Sequence, residues 1–177
     1  MLATLPLPFY FLIGGLLSIF MPKGVIKSSF VCLVPILALI ALLNGTWEEG
    51  FKVQFLDLEL NFMRVDKLST VFGIIFCIAA FLGNVFAFHL RESTQPFVAL
   101  IYAGAAIGAV FAGDLITLFV YWELTAISSV FLIWARKTEG AYHSGMRYLI
   151  IQVLSGVVLL FGAVSYTHLT LPTIYSV

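Results

Sequence analysis

The chain has 177 residues, 62% hydrophobic and only 10% charged, with no net charge. A soluble domain carries about 25% charged residues, so lipid rather than water is the main solvent for this protein. Neutrality removes the case for a nucleic-acid partner.

In chain order, a first membrane span is predicted over about 2–21. Pro6 and Pro8 lie near its start, where a first turn tolerates proline, and Pro22-Lys23-Gly24 breaks it. The first 22 residues contain no Lys or Arg, which argues against a cleaved signal peptide. A second span covers about 28–43, kinked at Pro35 and stopped by Asn44-Gly45. Asn44-Gly45-Thr46 also has the form of a glycosylation sequon, but a helix stop and turn is the simpler reading. Cys32 and Cys77 sit in separate apolar runs and read as small buried residues, not as a disulfide or metal pair.

Residues 45–67 form the long polar segment. FKVQF alternates apolar and polar residues, and LDLELNF alternates again after a one-residue shift at Leu56. Period two predicts short strands, a hairpin on the membrane surface, and an edge with Asp57 and Glu59 could meet a partner subunit. A plain surface loop is the equal alternative. The third span is about 68–88. Ser69, Gly73, Cys77, Ala80 and Asn84 recur along it at three- and four-residue spacing, a packing seam. Asn84 reads first as an interhelical hydrogen bond and second as a pathway residue. The fourth span, about 97–112, opens at Pro96 and carries Gly104 and Gly108 as a GxxxG, which allows close helix approach and says nothing of function.

The fifth span, about 115–135, holds a single ionisable side chain, Glu123. At about 1.5 Å per residue it lies roughly 12 Å from Leu115 and roughly 20 Å from Arg136, near the middle of a core of roughly 30 Å. A carboxylate there costs about 2.5–3.5 kcal/mol on insertion scales. Its helical neighbours Ile116, Phe119, Val120, Ala126, Ile127 and Val130 are all apolar, so compensation must come from another helix, from water or from a partner charge. Glu123 is therefore the candidate functional residue; the bland alternative is a protonated Glu hydrogen-bonded between helices for structure alone. A polar loop follows over 135–147, then a sixth span over about 148–164. Gln152 and Ser155 share a face there, followed by Gly156. They either hold water beside Glu123 or bond a neighbouring helix, the second being favoured.

From Ser165 the apolar pattern stops, and SYTHLTLPTIYSV resembles translated sequencing-adapter read-through. Residues 165–177 are set apart on that ground as non-native, His168 with them, against the alternative of a genuine polar C-terminus. Residues 1–164 are the N-terminal part of a membrane helix bundle. Loops one, three and five carry Lys23, Lys27, Arg91, Arg136, Lys137 and Arg147; loops two and four carry Lys52, Arg64 and Lys67. The excess predicts a cytoplasmic side for the odd loops and an N-terminus outside. No CxxC, HExxH, glycine-rich phosphate loop or paired histidines occurs, so no metal or cofactor is expected.

LFVYWELTAISSVFLIW, preceded by Gly113-Asp114-Leu115 and followed by SGMRYLIIQVLSGVVLLFG, resembles the proton-conducting antiporter-like membrane subunits. These occur in Mrp-type multisubunit Na⁺/H⁺ antiporters and in respiratory complex I (NADH-quinone oxidoreductase). The sharpest match is Trp122-Glu123-Leu124 with Ser128, Ser129 and Leu132; the HSGMRYL and VLSGVVLL segments lean to the D-type antiporter protein. The resemblance implies an all-α polytopic protein of about six transmembrane helices, truncated from a larger inverted-repeat bundle, with a short β-like segment between helices two and three. It also implies that Glu123 pairs with a Lys on a later broken helix, beyond this sequence.

The function that follows is proton or cation translocation across a bacterial inner membrane through Glu123, within an antiporter of several membrane subunits. Protons and Na⁺ would then be its substrates, and lipid and other membrane subunits its partners. Alternatives are a proton-pumping subunit of complex I, which would make it part of an enzyme, and a non-conducting structural subunit. An intramembrane hydrolase lacks a paired nucleophile or second carboxylate.

Overall fold

The structure, a computed structural model, describes residues 5–45, 51–55, 58–89 and 94–174, without the side chains at 51, 55, 58, 59 and 167–174. The expectations placed on Thr46, Asp57, the Glu59 side chain, Arg91 and the His168 side chain lie outside the described residues.

Helix α1 (Leu7–Phe20) starts later than expected, because Pro6 is extended and Pro8 occupies the first turn. Its 14 residues span about 21 Å, less than a hydrocarbon core of about 30 Å. Helix α2 (Val25–Asn44) starts earlier than expected. Gly24, at φ 127°, makes the turn that lets it do so. Lys27 is consequently not a loop cation but a buried residue of the first turn of α2, 3% exposed. The alternating segment does form a hairpin, β1 (Phe51–Phe55) antiparallel to β2 (Leu58–Met63), with Lys52 opposite Asn61 and Val53 opposite Leu60.

Helix α3 (Lys67–Phe86) opens on a reciprocal cap: Asp66 accepts from the Ser69 N–H at 2.7 Å, and the Asp66 N–H donates to the Ser69 hydroxyl at 2.8 Å. Backbone N–H groups of the first turn hold the Asp66 carboxyl below its ordinary value. A short 3-10 turn, Ala87–His89, follows α3. Helix α4 (Thr94–Phe111) carries Pro96 in its first turn, and α5 is Leu115–Trp134. Helix α6 (Glu139–Ile174) is longer than the predicted span at both ends. The stretch 135–147, expected as a loop, is mostly helix. Thr138 caps it, its hydroxyl accepting from the Ala141 N–H at 3.2 Å, and Arg147 lies inside α6. The turn into α6 passes through Lys137 at φ 54°.

Five helices, α2 to α6, are long and apolar enough to cross a membrane. Sequential helices pack side by side, and α1 also packs on α4. The core lies between α1, α2, α3 and α4 and includes Phe11, Val34, Ala38, Cys77, Ile107 and Phe111. The seam expected on α3 faces inward at Ser69, Gly73 and Cys77, while Cys32 on α2 is only half-buried. In α4, a β-carbon at Gly104 would meet Phe11 of α1, and one at Gly108 would overlap the Tyr121 ring of α5. The two glycines thus let one helix approach neighbours on two sides. Helix α6 is the outermost, with Val158 and Phe161 exposed.

Candidate functional site

The site is built on α5, and α5 is fixed first at its head. Asp114, placed just before the apolar run, caps the helix: its carboxylate accepts from the Thr117 N–H and the Thr117 hydroxyl, each at 2.7 Å. It also accepts the Asn61 N–H at 2.7 Å, so the cap of α5 is tied to strand β2. Two backbone bonds complete the tie, Gly113 N–H to the Asn61 carbonyl at 2.9 Å and Arg64 N–H to the Phe111 carbonyl at 2.7 Å. Burial alone would raise the Asp114 carboxyl. The hydrogen bonds from Thr117, Asn61 and Ile116 favour its charged form and hold it below its ordinary value. Sequence reasoning missed this role; an Asp directly before an apolar run is the signal that marks it.

Glu123 lies on the side of α5 that meets α6. The residue is half-buried, but its Oε1 is shielded from solvent and has no hydrogen-bond partner. That oxygen rests against Gly156, where an added β-carbon would overlap it. Phe119 closes the same spot. Farther along the same seam, Ser129 Oγ lies 2.7 Å from the Ala126 carbonyl and 2.9 Å from the Tyr148 hydroxyl. Ser129 has one hydroxyl proton, so it donates to the carbonyl and Tyr148 donates to it. Ser128 turns back on its own helix, 2.7 Å from the Leu124 carbonyl. Of the polar residues foreseen near Glu123, Gln152 is half-buried and Ser155 is exposed.

Asn84 is engaged elsewhere. Its amide donates to the Val31 carbonyl on α2 at 3.1 Å. Val31 is four residues before Pro35, which has no N–H to offer that carbonyl. Asn84 therefore supplies, from α3, the bond that the proline removes. Val31 and Asn84 also line an apolar cavity of about 510 Å³ between α2, α3 and α4, which Glu123 does not reach. Among the described residues no group of three or more His, Cys, Asp or Glu could hold a metal ion.

The transmembrane family described as NADH:quinone oxidoreductase/Mrp antiporter matches residues 112–173, the stretch that contains α5 and nearly all of α6. Over that stretch the chain is similar to this family of antiporter-like membrane subunits. It is 31% identical over 115 residues to the A-type protein of a Na⁺/H⁺ antiporter of Alkalihalophilus pseudofirmus, covering 60% of this chain and 14% of that protein. It is 30% identical over 173 residues to the A1-type protein of a Na⁺/H⁺ antiporter of Staphylococcus haemolyticus, covering 89% and 21%. It is 27% identical over 184 residues to the D-type protein of the A. pseudofirmus antiporter, covering 94% and 36%. The antiporter resemblance thus extends to A-type as well as D-type proteins. The chain spans at most 36% of the length of these relatives. Among solved structures it shares the fold of a chain of the membrane-bound sulfane sulfur reductase, an archaeal respiratory membrane complex. The TM-score there is 0.69 at 19% identity, over 88% of this chain and 34% of that one.

Proposed function

We propose that this antiporter-like protein takes part in proton or cation translocation across a bacterial inner membrane, and that Glu123 carries it. The assembly is read as a multisubunit Na⁺/H⁺ antiporter, in keeping with relatives that bear that name. Its partners are other membrane subunits and its substrates are protons and Na⁺. The N-terminus is read as facing outward, with the Arg136 and Lys137 turn inside.

The observation that carries this reading is the unpartnered Oε1 of Glu123. A purely structural Glu between helices would be capped by a fixed donor, because leaving a buried acceptor unmade costs about 1–3 kcal/mol. Here Thr125, Ser128 and Ser129, nearby hydroxyls of α5, all donate to backbone carbonyls instead. A carboxyl group left without a fixed partner is free to exchange protons or to meet a mobile charge. A lysine elsewhere in the assembly, moving toward and away from Glu123, would switch its proton affinity. The family description also names NADH:quinone oxidoreductase, which favours a second reading, a proton pump powered by redox chemistry elsewhere in its complex.

The test is Glu123→Gln in the assembled complex, reconstituted in sealed vesicles with a pH dye. The variant is expected to assemble and to lose proton flux by at least about a hundredfold, the scale of losing a proton-transferring group. Flux equal to wild type would reject the assignment.

A further inference from the structure

Helices α5 and α6 are keyed together by two glycines. A β-carbon on Gly145 would overlap the indole nitrogen of Trp134, as one on Gly156 would overlap Oε1 of Glu123. The spacing from Glu123 to Trp134 equals that from Gly145 to Gly156, close to three helical turns, so both contacts fall on one line along each helix. Gly145 and Gly156 are also the buried residues of α6 among those whose side chains are described. Gly140 and Gly162, in the same helix, have open space where a β-carbon would sit.

We propose that Gly156 is a positioning residue for Glu123. The gap it leaves in α6 seats the carboxyl group against the helix backbone, at a place that even alanine would deny it. The proposal rests on the reading of Glu123 as the translocation residue and names what holds its carboxyl group in place. Among the described residues, nothing charged shares the seat. Helix α4 carries no Asp, Glu, Lys, Arg or His. On α5 the nearest charges are Asp114 and Arg136, beyond its two ends, and on α6 Glu139, His143 and Arg147 cluster at the Trp134 end. Tyr148, the titratable group of α6 nearest the seat, is bonded to Ser129. The position of the Glu123 carboxyl is thus set by shape, not by a salt bridge.

The test is the reaction of Glu123 with dicyclohexylcarbodiimide in the full chain, in phosphatidylethanolamine–phosphatidylglycerol liposomes. The adduct is read by mass spectrometry across about pH 5–9, the range over which a perturbed carboxyl titrates. Gly156→Ala is expected to change the labelling rate about tenfold and to move its pH midpoint by about one unit, the scale of forcing a methyl into a filled site. Gly162→Ala should leave both unchanged. Glu123→Asp shortens the acid by one carbon, so adding Gly156→Ala to it should have no further effect. A Gly156→Ala rate within about twofold of wild type, or an equal response from Gly162→Ala, would overturn the proposal. If Gly156→Ala does not insert, restored insertion of the double variant with Glu123→Asp supports the seat, and failure to restore it overturns it. Labelling separates the two readings: a response to Gly156→Ala with normal flux in Glu123→Gln keeps the seat and rejects the translocation role. Lost flux with no labelling response does the reverse.

Discussion

Asp114→Ala should loosen α5 from the hairpin more than loss of a helix cap alone would. The carboxylate accepts three bonds at 2.7 Å, two from Thr117 and one from the Asn61 N–H. Removing an N-cap costs about 0.5–2 kcal/mol. The Asn61 N–H, in a partly buried position, loses its acceptor, which adds about 1–3 kcal/mol. Thr117 is 2% exposed, so its freed hydroxyl has no water to turn to. The expected loss is about 2–4 kcal/mol. Asp114→Ser keeps one acceptor oxygen and should fall between the two. The Asp114 carboxyl is held below its ordinary value in the fold. Its contribution is therefore fully present above the unfolded value of about 3.9 and is lost as pH falls through the lower folded value. Wild type should weaken in that acid window, and Asp114→Ala should weaken less, retaining the similar acid loss at Asp66. Unfolding of the chain in mixed dodecyl maltoside and SDS micelles, followed by circular dichroism, gives the energies. Hydrogen exchange at the Asn61 amide reports the tie itself. A midpoint within about 0.5 kcal/mol of wild type, with Asn61 exchange unchanged, would refute the reasoning.

Two further substitutions test the packing beneath the site. Asn84→Leu should destabilise by about 0.6–1.7 kcal/mol, the range for interhelical hydrogen bonds in membranes. Pro35→Ala gives the Val31 carbonyl a donor within α2 and should remove most of that loss in the double variant; strictly additive unfolding energies would refute the pairing. Gly108→Ala drives a methyl into the Tyr121 ring and should cost about 1–3 kcal/mol, read as a lower unfolding midpoint beside a near-neutral Gly162→Ala.

The parts of this structure legible in the sequence are those with a local signature. Apolar runs of about 20 residues announced the spanning helices, and the period-two segment announced the hairpin. The ends of helices were less legible. Polar residues between Glu139 and Arg147 read as a loop, although they continue a helix that Thr138 caps. Least legible were partnerships across the fold. Asn84 meets Val31, and Asn61 meets Asp114, each across 53 residues. The seating of Glu123 against Gly156 likewise leaves no periodic trace in either helix alone. Pro35 does carry a usable signal: it frees one carbonyl, and a spanning helix must find a donor for it in a neighbour.

Both the rotation and the axial position of α5 are restrained. At its head, Asp114 bonds β2, which is itself held to α1 by the Leu7 N–H on the Met63 sulfur at 3.2 Å. At its tail, Trp134 sits over Gly145 and stacks on Tyr142 with ring centroids 5.6 Å apart. Between them Tyr121 lies against Gly108 on α4, on another face from the one that meets α6. Restraints at both ends oppose sliding, and contacts on two faces oppose rotation. Such a helix cannot turn to offer Oε1 of Glu123 a donor without breaking several contacts at once. On the proposed translocation reading, what meets that oxygen is something that moves to it: a proton, a water molecule or a charge carried on another helix.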